Sequence, residues 1–379
     1  MVLVYFKITL VFVLWSMKMI ECVPFAAGEF YRLQSCLTEL GCYNSTACSL
    51  KRLTFLSDCP VTGYFFHCNA NGSVVHLSLN FDKLSGIVPR DLASLQHLTH
   101  LSFYTNDLSG SIPSELGLLQ KLTQLNLRDN ELNGIVPSEL GLLEHLTELS
   151  LQFNELGGFI PTELGLLQKL SLLYLSGNIL RGSISSELLS LSQLRVLDLS
   201  RNKLSGVVPT EFASMKQLIY LSLTGNAWSG VVPSELGLLT QLQLLHLSIT
   251  RLSGVIPREL FTLPNLLVLA LHDGMFSGVL PTELGLLRSL TELGFSGNLF
   301  SGVIPSELGL LQNLTTIFLY NNTLSGTVPS ELGLLRKLNM LNLRNNTLSG
   351  SIPSEIGLLE QLRFFHLRNN FLSGVVPSE

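Results

Sequence analysis

The stretch LTQLNLRDNELNGIVPSELGLLEH, residues 122–145, contains each feature on which the fold depends. Its ELGLL begins at Glu139, and the same five letters begin at Glu115, Glu163, Glu235, Glu283, Glu307 and Glu331, with EIGLL at Glu355. The starts differ by 24 or a multiple of 24, which marks an array of repeats. Stepping by 24 from position 82 to position 370, through Asn130, gives thirteen repeats. Asn fills ten of those thirteen positions, and the others are Asp82, Thr250 and Gly274. Gly follows four residues later in every repeat, and Pro three residues beyond that everywhere except Ser185.

Each column has a physical reason. Leu122, Leu125, Leu127, Leu132, Leu140 and Leu143 alternate first at strand spacing and then irregularly. One short strand per repeat therefore points its leucines into a core shared by stacked repeats. An Asn after the strand both donates and accepts, so it pairs backbone groups of neighbouring turns that burial would leave unsatisfied. Gly permits the bend that follows, and Pro stiffens an outer segment where no ladder donor is needed. ELGLL falls on that outer segment. Ser or Thr before the Glu reads as an N-cap of a short helical turn, with the acid at its positive end. The alternative for this acidic column, Asp91 to Glu379, is a docking stripe. The lapses at Thr250 and Gly274 imply that backbone regularity loosens there.

The unit LxxLxLxxNxLSGxIPxxLGxLxx, repeated from Val74 to Glu379, resembles the plant-type leucine-rich repeat. That repeat builds receptor-like kinase ectodomains, receptor-like proteins and polygalacturonase-inhibiting proteins. The resemblance implies an α/β repeat solenoid, a horseshoe with a parallel β-sheet on the concave face and short helical or 3-10 turns on the convex face. It also implies an extracellular recognition module that binds a peptide, glycan or protein partner through the concave face. A soluble inhibitor of a secreted hydrolase such as a polygalacturonase, or a structural cell-wall or adhesive protein, are the alternatives it leaves open.

Charged residues are 13% and the net charge is -5, so nothing here attracts nucleic acid. Lys7 and Lys18 flank ITLVFVLWSM, too short to span a bilayer and suited to a signal-peptide core within residues 1–27. Secretion or display at the cell surface is expected. Membrane association would need a missing C-terminal segment, a partner, or an uncleaved N-terminal anchor. All six cysteines, Cys22, Cys36, Cys42, Cys48, Cys59 and Cys68, precede the repeats and suit an oxidised cap over residues 28–73. The family's cap implies a pairing of Cys59 with Cys68. Asn44, Asn71, Asn313, Asn321 and Asn345 open glycosylation sequons. Asn321 and Asn345 share one column, about 4.8 Å apart, so glycans on both would crowd. Serines are abundant but recur as LSG and PSE scaffold letters, and no catalytic, cofactor or metal constellation is read; an enzyme is not expected.

Residues that drift between repeats mark the candidate site. Along most of the concave face the outward positions are small or polar, as at Ser78, Ser102, Asn126, Ser150 and Gly294. From the fifth to the ninth repeat they become Leu172, Tyr174, Val196, Tyr220, Leu244, His246, Ile249 and Val268, beside His272 and Asp273. Clustered apolar and tyrosine side chains on such a scaffold suggest a contact surface. Arg344, His366 and Arg368 form a second candidate, a basic edge resembling the carboxylate-binding arginines of some peptide receptors.

Overall fold

The computed structural model describes residues 66–69, 73–80 and 84–375. The leader, Cys59 with its pairing, Asn44 and Asn71 lie outside them. The chain falls into two units, one ending at Arg181 and one beginning at Gly182.

In the first unit, Phe66–Cys68 pairs antiparallel with Val74–Ser78. His100–Ser102, Gln124–Asn126, Glu148–Ser150 and Leu172–Tyr174 then add in parallel, each residue opposite its counterpart 24 positions on. The second unit repeats this from Val196–Asp198 through Tyr220–Ser222, Leu244–His246, Val268–Ala270, Glu292–Gly294, Thr316–Phe318 and Met340–Asn342 to Phe364–His366. Both are α/β solenoid stacks, as the repeat implies.

The leucine columns are inside. Leu122, Leu125, Leu127, Leu132, Leu140 and Leu143 are all fully buried, each contributing about 1.5–3 kcal/mol of transfer free energy. The Asn column bonds as its chemistry requires. Asn130 Nδ2 donates to the carbonyls of Phe103 (2.8 Å) and Leu127 (3.2 Å), while its Oδ1 accepts from the Leu108 amide at 3.0 Å. One side chain thus satisfies three backbone groups in two coils.

The outer segment differs from expectation in three ways. First, the LSG residues form a second strand in most repeats, whereas the stretch at Gly157 makes only an isolated bridge to Ile135. In the second unit these strands are Lys203–Val207, Ala227–Gly230, Arg251–Gly254, Met275–Val279, Leu299–Val303 and Thr323–Ser325, paired in parallel, with Ser349–Gly350 and Phe371–Leu372 as a separate parallel pair. Second, Ser and Thr do not cap the turns. In Ser138–Leu142 the cap position is Pro137, whose carbonyl accepts from Leu140 at 3.2 Å in 3-10 fashion. Ser138 lies one residue too late and reaches only the Glu139 carboxylate, at 3.3 Å. Ser185, where Pro is absent, is the residue that caps: it accepts from the Leu188 amide at 3.3 Å and starts a true α-turn, Ser186–Leu189. Third, the backbone stays regular at the Asn lapses. Leu244 pairs with Val268 and Val268 with Glu292 in unbroken register. Thr250 Oγ1 replaces part of the amide by donating to the Leu247 carbonyl at 2.9 Å, and Phe276 fills the space beside Gly274.

ELGLL keeps its letters because its Gly is a contact point. A Cβ on Gly141 would fall 2.3 Å from the Glu163 carbonyl oxygen of the next coil. Gly117, Gly237, Gly285, Gly309 and Gly333 meet the following repeat's Glu in the same way.

Candidate functional site

Outward residues of the second unit's long sheet form two groups of aromatic and imidazole contacts. Tyr220 and His246, on adjacent strands, meet edge to face with centroids 5.5 Å apart. His272 follows. Its amide donates to Ser248 Oγ at 2.9 Å, and its Nδ1 lies 2.7 Å from Ser296 Oγ, a fully buried hydroxyl. Its ring crosses the next coil: a Cβ on Gly294 would stand 2.2 Å from His272 Nε2. The ring thereby reaches Phe318, two repeats away, at 5.8 Å edge to face. Phe318 leads to Tyr320 at 6.2 Å, and the Arg344 guanidinium covers Tyr320 at 4.7 Å. Such contacts are worth about 0.5–1.5 kcal/mol each beyond area burial.

Burial lowers the pKa of His246, with Asp198 opposing it; burial likewise lowers that of His272, opposed by Asp273 and reinforced by His246. Both imidazoles are therefore held neutral near pH 7. His246 Nε2 and Thr224 Oγ1 are buried without a hydrogen-bond partner, and lie on adjacent repeats of this face.

The expected site residues sort as follows. Val196, Leu244 and Val268 are half-buried and pack along the sheet, with Tyr220, His246 and His272 among them. Ile249 and Asp273 are not strand residues. Both adopt left-handed backbone, φ 53°, at the bend beside the sheet, where Ile249 is 59% exposed. Leu172 and Tyr174 belong to the first unit. There the outward face also carries Gln152, buried with Oε1 unpartnered, and Arg128 over Tyr104 at 4.7 Å. Arg344 lies over the Tyr320 ring, whereas His366 and Arg368 are exposed. Phe318 and Tyr320 were missed because the sequence reading stopped at the ninth repeat; their places in the outward columns were the available signal. Gly294, read as a small filler, is what lets His272 reach across. Asn345 Nδ2 donates to Asn321 Oδ1, and Asn369 Nδ2 to Asn345 Oδ1, each at 2.6 Å. The two sequon asparagines therefore touch. Asn313 instead accepts from Lys337 Nζ at 2.8 Å.

Sequence models of leucine-rich repeats match residues 168–227 and, as single repeats, 97–119, 121–143, 145–167, 289–311, 313–335 and 337–359, together more than half of the chain. The chain belongs to the leucine-rich-repeat family. No curated protein matches this leucine-rich-repeat chain in sequence. Among solved structures it is similar to a TDR receptor, with 34% identity over 76% of this chain and 50% of that one, at a TM-score of 0.73. It is also similar to a plant peptide hormone receptor, RGFR1 in complex with RGF2 (32% identity, 81% and 61% coverage, TM-score 0.61). A plant ice-binding protein is similar at 25% identity over 83% and 86% of the two chains, with a TM-score of 0.50. The leucine-rich-repeat chain thus spans half the length of the TDR receptor and most of the ice-binding protein. It is a plant-type leucine-rich-repeat protein that resembles receptor-kinase ectodomains.

Proposed function

We propose that the leucine-rich-repeat protein is an extracellular recognition module that takes a peptide or protein segment on the outward face of its second unit. The outward residues Tyr220, His246, His272, Phe318 and Tyr320 carry this reading, because they gather aromatic and imidazole area on one face. The similarity to a peptide hormone receptor solved with its ligand supports it. The signal-like N-terminus and the sequons support export. No helix among the described residues is long and apolar enough to cross a membrane. The reading includes no catalytic role. A displayed library of random peptides, selected on the full chain and remeasured on Tyr220→Ala and Phe318→Ala, tests it. Selected peptides should lose at least about 1 kcal/mol on either variant. Equal affinity for all three proteins would move the site elsewhere.

One observation favours a second reading, binding to ice. The second unit presents an exposed, regularly repeated Ser–Gly–Val surface, and the similarity to the ice-binding protein covers 83% of this chain and 86% of that one.

A further inference from the structure

We infer that the Ser–Gly–Val array on the second set of strands in the second unit is a plane for binding ice, an inference that rests on the second reading above. The array is a different surface from the ligand face and takes no part in it. Val207, Val231, Val255, Val279 and Val303 occupy one column and are 59–65% exposed. A contiguous apolar row is ordinarily covered by the fold or by a partner. Two residues before each stands a serine. Of these, the hydroxyls of Ser229, Ser253 and Ser301 donate to glycine carbonyls of the preceding repeat at 3.3–3.4 Å, as does Ser325 before Thr327. The surface therefore alternates methyl groups with oriented hydroxyls. Its charges are Lys203 and Arg251, each the first residue of its strand, with Arg251 opposite Ser229.

The ranks are identical in geometry as well as in sequence. Every strand pair has the same register, each residue opposite the one 22 positions on. Every valine leans over the glycine of the next repeat. A Cβ on Gly230, Gly254, Gly278, Gly302 or Gly326 would lie 2.8–3.3 Å from the preceding valine's Cγ1. Those glycines have φ from 73° to 92°, which only Gly adopts freely. Val is stiff about χ1, so the methyls are held in place before any contact forms.

Regularity decides the occupant. A peptide or an irregular protein surface would meet several equivalent registers on such an array and be given no unique pose. A crystal is itself periodic, so each further rank in register adds to binding. Fixed methyl groups also restrict the orientation of neighbouring water. Hydroxyls set beside them can join that ordered layer by hydrogen bonds, which suits the surface of ice.

The test is slow freezing of a solution of the full chain onto a cooled probe, with measurement of the protein taken into the ice. The wild type should be enriched in the ice fraction relative to serum albumin. Val231→Lys/Val255→Lys/Val279→Lys should lower that enrichment by an order of magnitude, Val255→Thr should keep most of it, and Tyr220→Ala should keep all of it. Melting curves check folding, and the single Val255→Lys, with a smaller loss, serves if the triple variant is unstable. A wild type excluded from ice like albumin overturns the second reading and this inference together. Should the same chain self-associate in sedimentation through the array, the surface belongs to a second copy. Enrichment that survives the lysines, or disappears with Tyr220→Ala, leaves ice binding standing and overturns the array as its plane.

Discussion

His272 lies over Gly294, with its Nε2 where a side chain of the next repeat would begin, and this approach links the ninth repeat to Phe318 in the eleventh. Gly294→Ala must displace the ring, since 2.2 Å is far inside contact distance. The imidazole would leave Ser296 and become more hydrated. We expect its pKa to rise toward the ordinary histidine value of about 6.5, read by NMR titration of the ring protons. The same variant should weaken the selected peptides. An unchanged His272 titration would show that the ring has room to stay.

Acid should loosen the second unit. His246 and His272 resist protonation in the folded chain because they are buried, whereas in the unfolded chain they titrate normally. Their contribution to stability is complete above about pH 6.5 and falls as pH drops through that value toward their lowered folded pKa values, below which it is constant. Thermal melting should therefore drop between about pH 7.5 and about pH 5. His246→Gln/His272→Gln should flatten that segment of the profile. A drop of equal size in the double variant would assign it to the carboxylates.

The lapse of the Asn column at Thr250 leaves hydrogen bonds unmade. Thr250→Asn can supply an amide donor and acceptor in a position where Asn226 and Asn298 make them, and should stabilise by about 0.5–1.5 kcal/mol in urea unfolding. Asn298→Ala should do the reverse and cost about 2 kcal/mol or more. It strands the carbonyls of Leu271 and Phe295 and the amide of Phe276. Equal midpoints for both variants would mean that water replaces the amide.

Gly141→Ala adds only a methyl, yet it points at the Glu163 carbonyl from 2.3 Å. The coils must separate to admit it. A loss of about 1–3 kcal/mol is expected by denaturant titration. Leu142→Lys, one residue away and 49% exposed, should cost less than about 0.5 kcal/mol. A tolerated Gly141→Ala would show that the coils can part at little cost.

Much of the fold was legible because a strict 24-residue period puts the same residue in the same surroundings many times over. Leu125 and Leu127 had to face inward, and Asn130 had to serve the backbone of two coils, because no other arrangement buries the first pair and satisfies the polar groups around the second. Those are local requirements, and composition with spacing suffices to state them. The cap was misread at Ser138 because the choice between a 3-10 and an α-turn depends on which carbonyl meets the first free amide. Pro137 supplies it here, as prolines of the same column do in most other repeats, and Ser185 shows the other outcome.

Tertiary structure decided the candidate site. Spacing identified Tyr220, His246 and His272 as outward residues, but side chains on a sheet choose partners by the space their neighbours leave. His272 bypasses its own strand neighbour because Gly294 has no side chain, and it settles on Ser296 and Phe318. Arg344, by charge a companion for Arg368, lies instead on Tyr320, where the ring face attracts its guanidinium. The sequence by itself determined the period, the core and the Asn ladder, because each follows from what one repeat must bury and satisfy. Which drifting residues join into a surface was decided by contacts between repeats, which depend on the absence of a side chain at one position as much as on its presence at another.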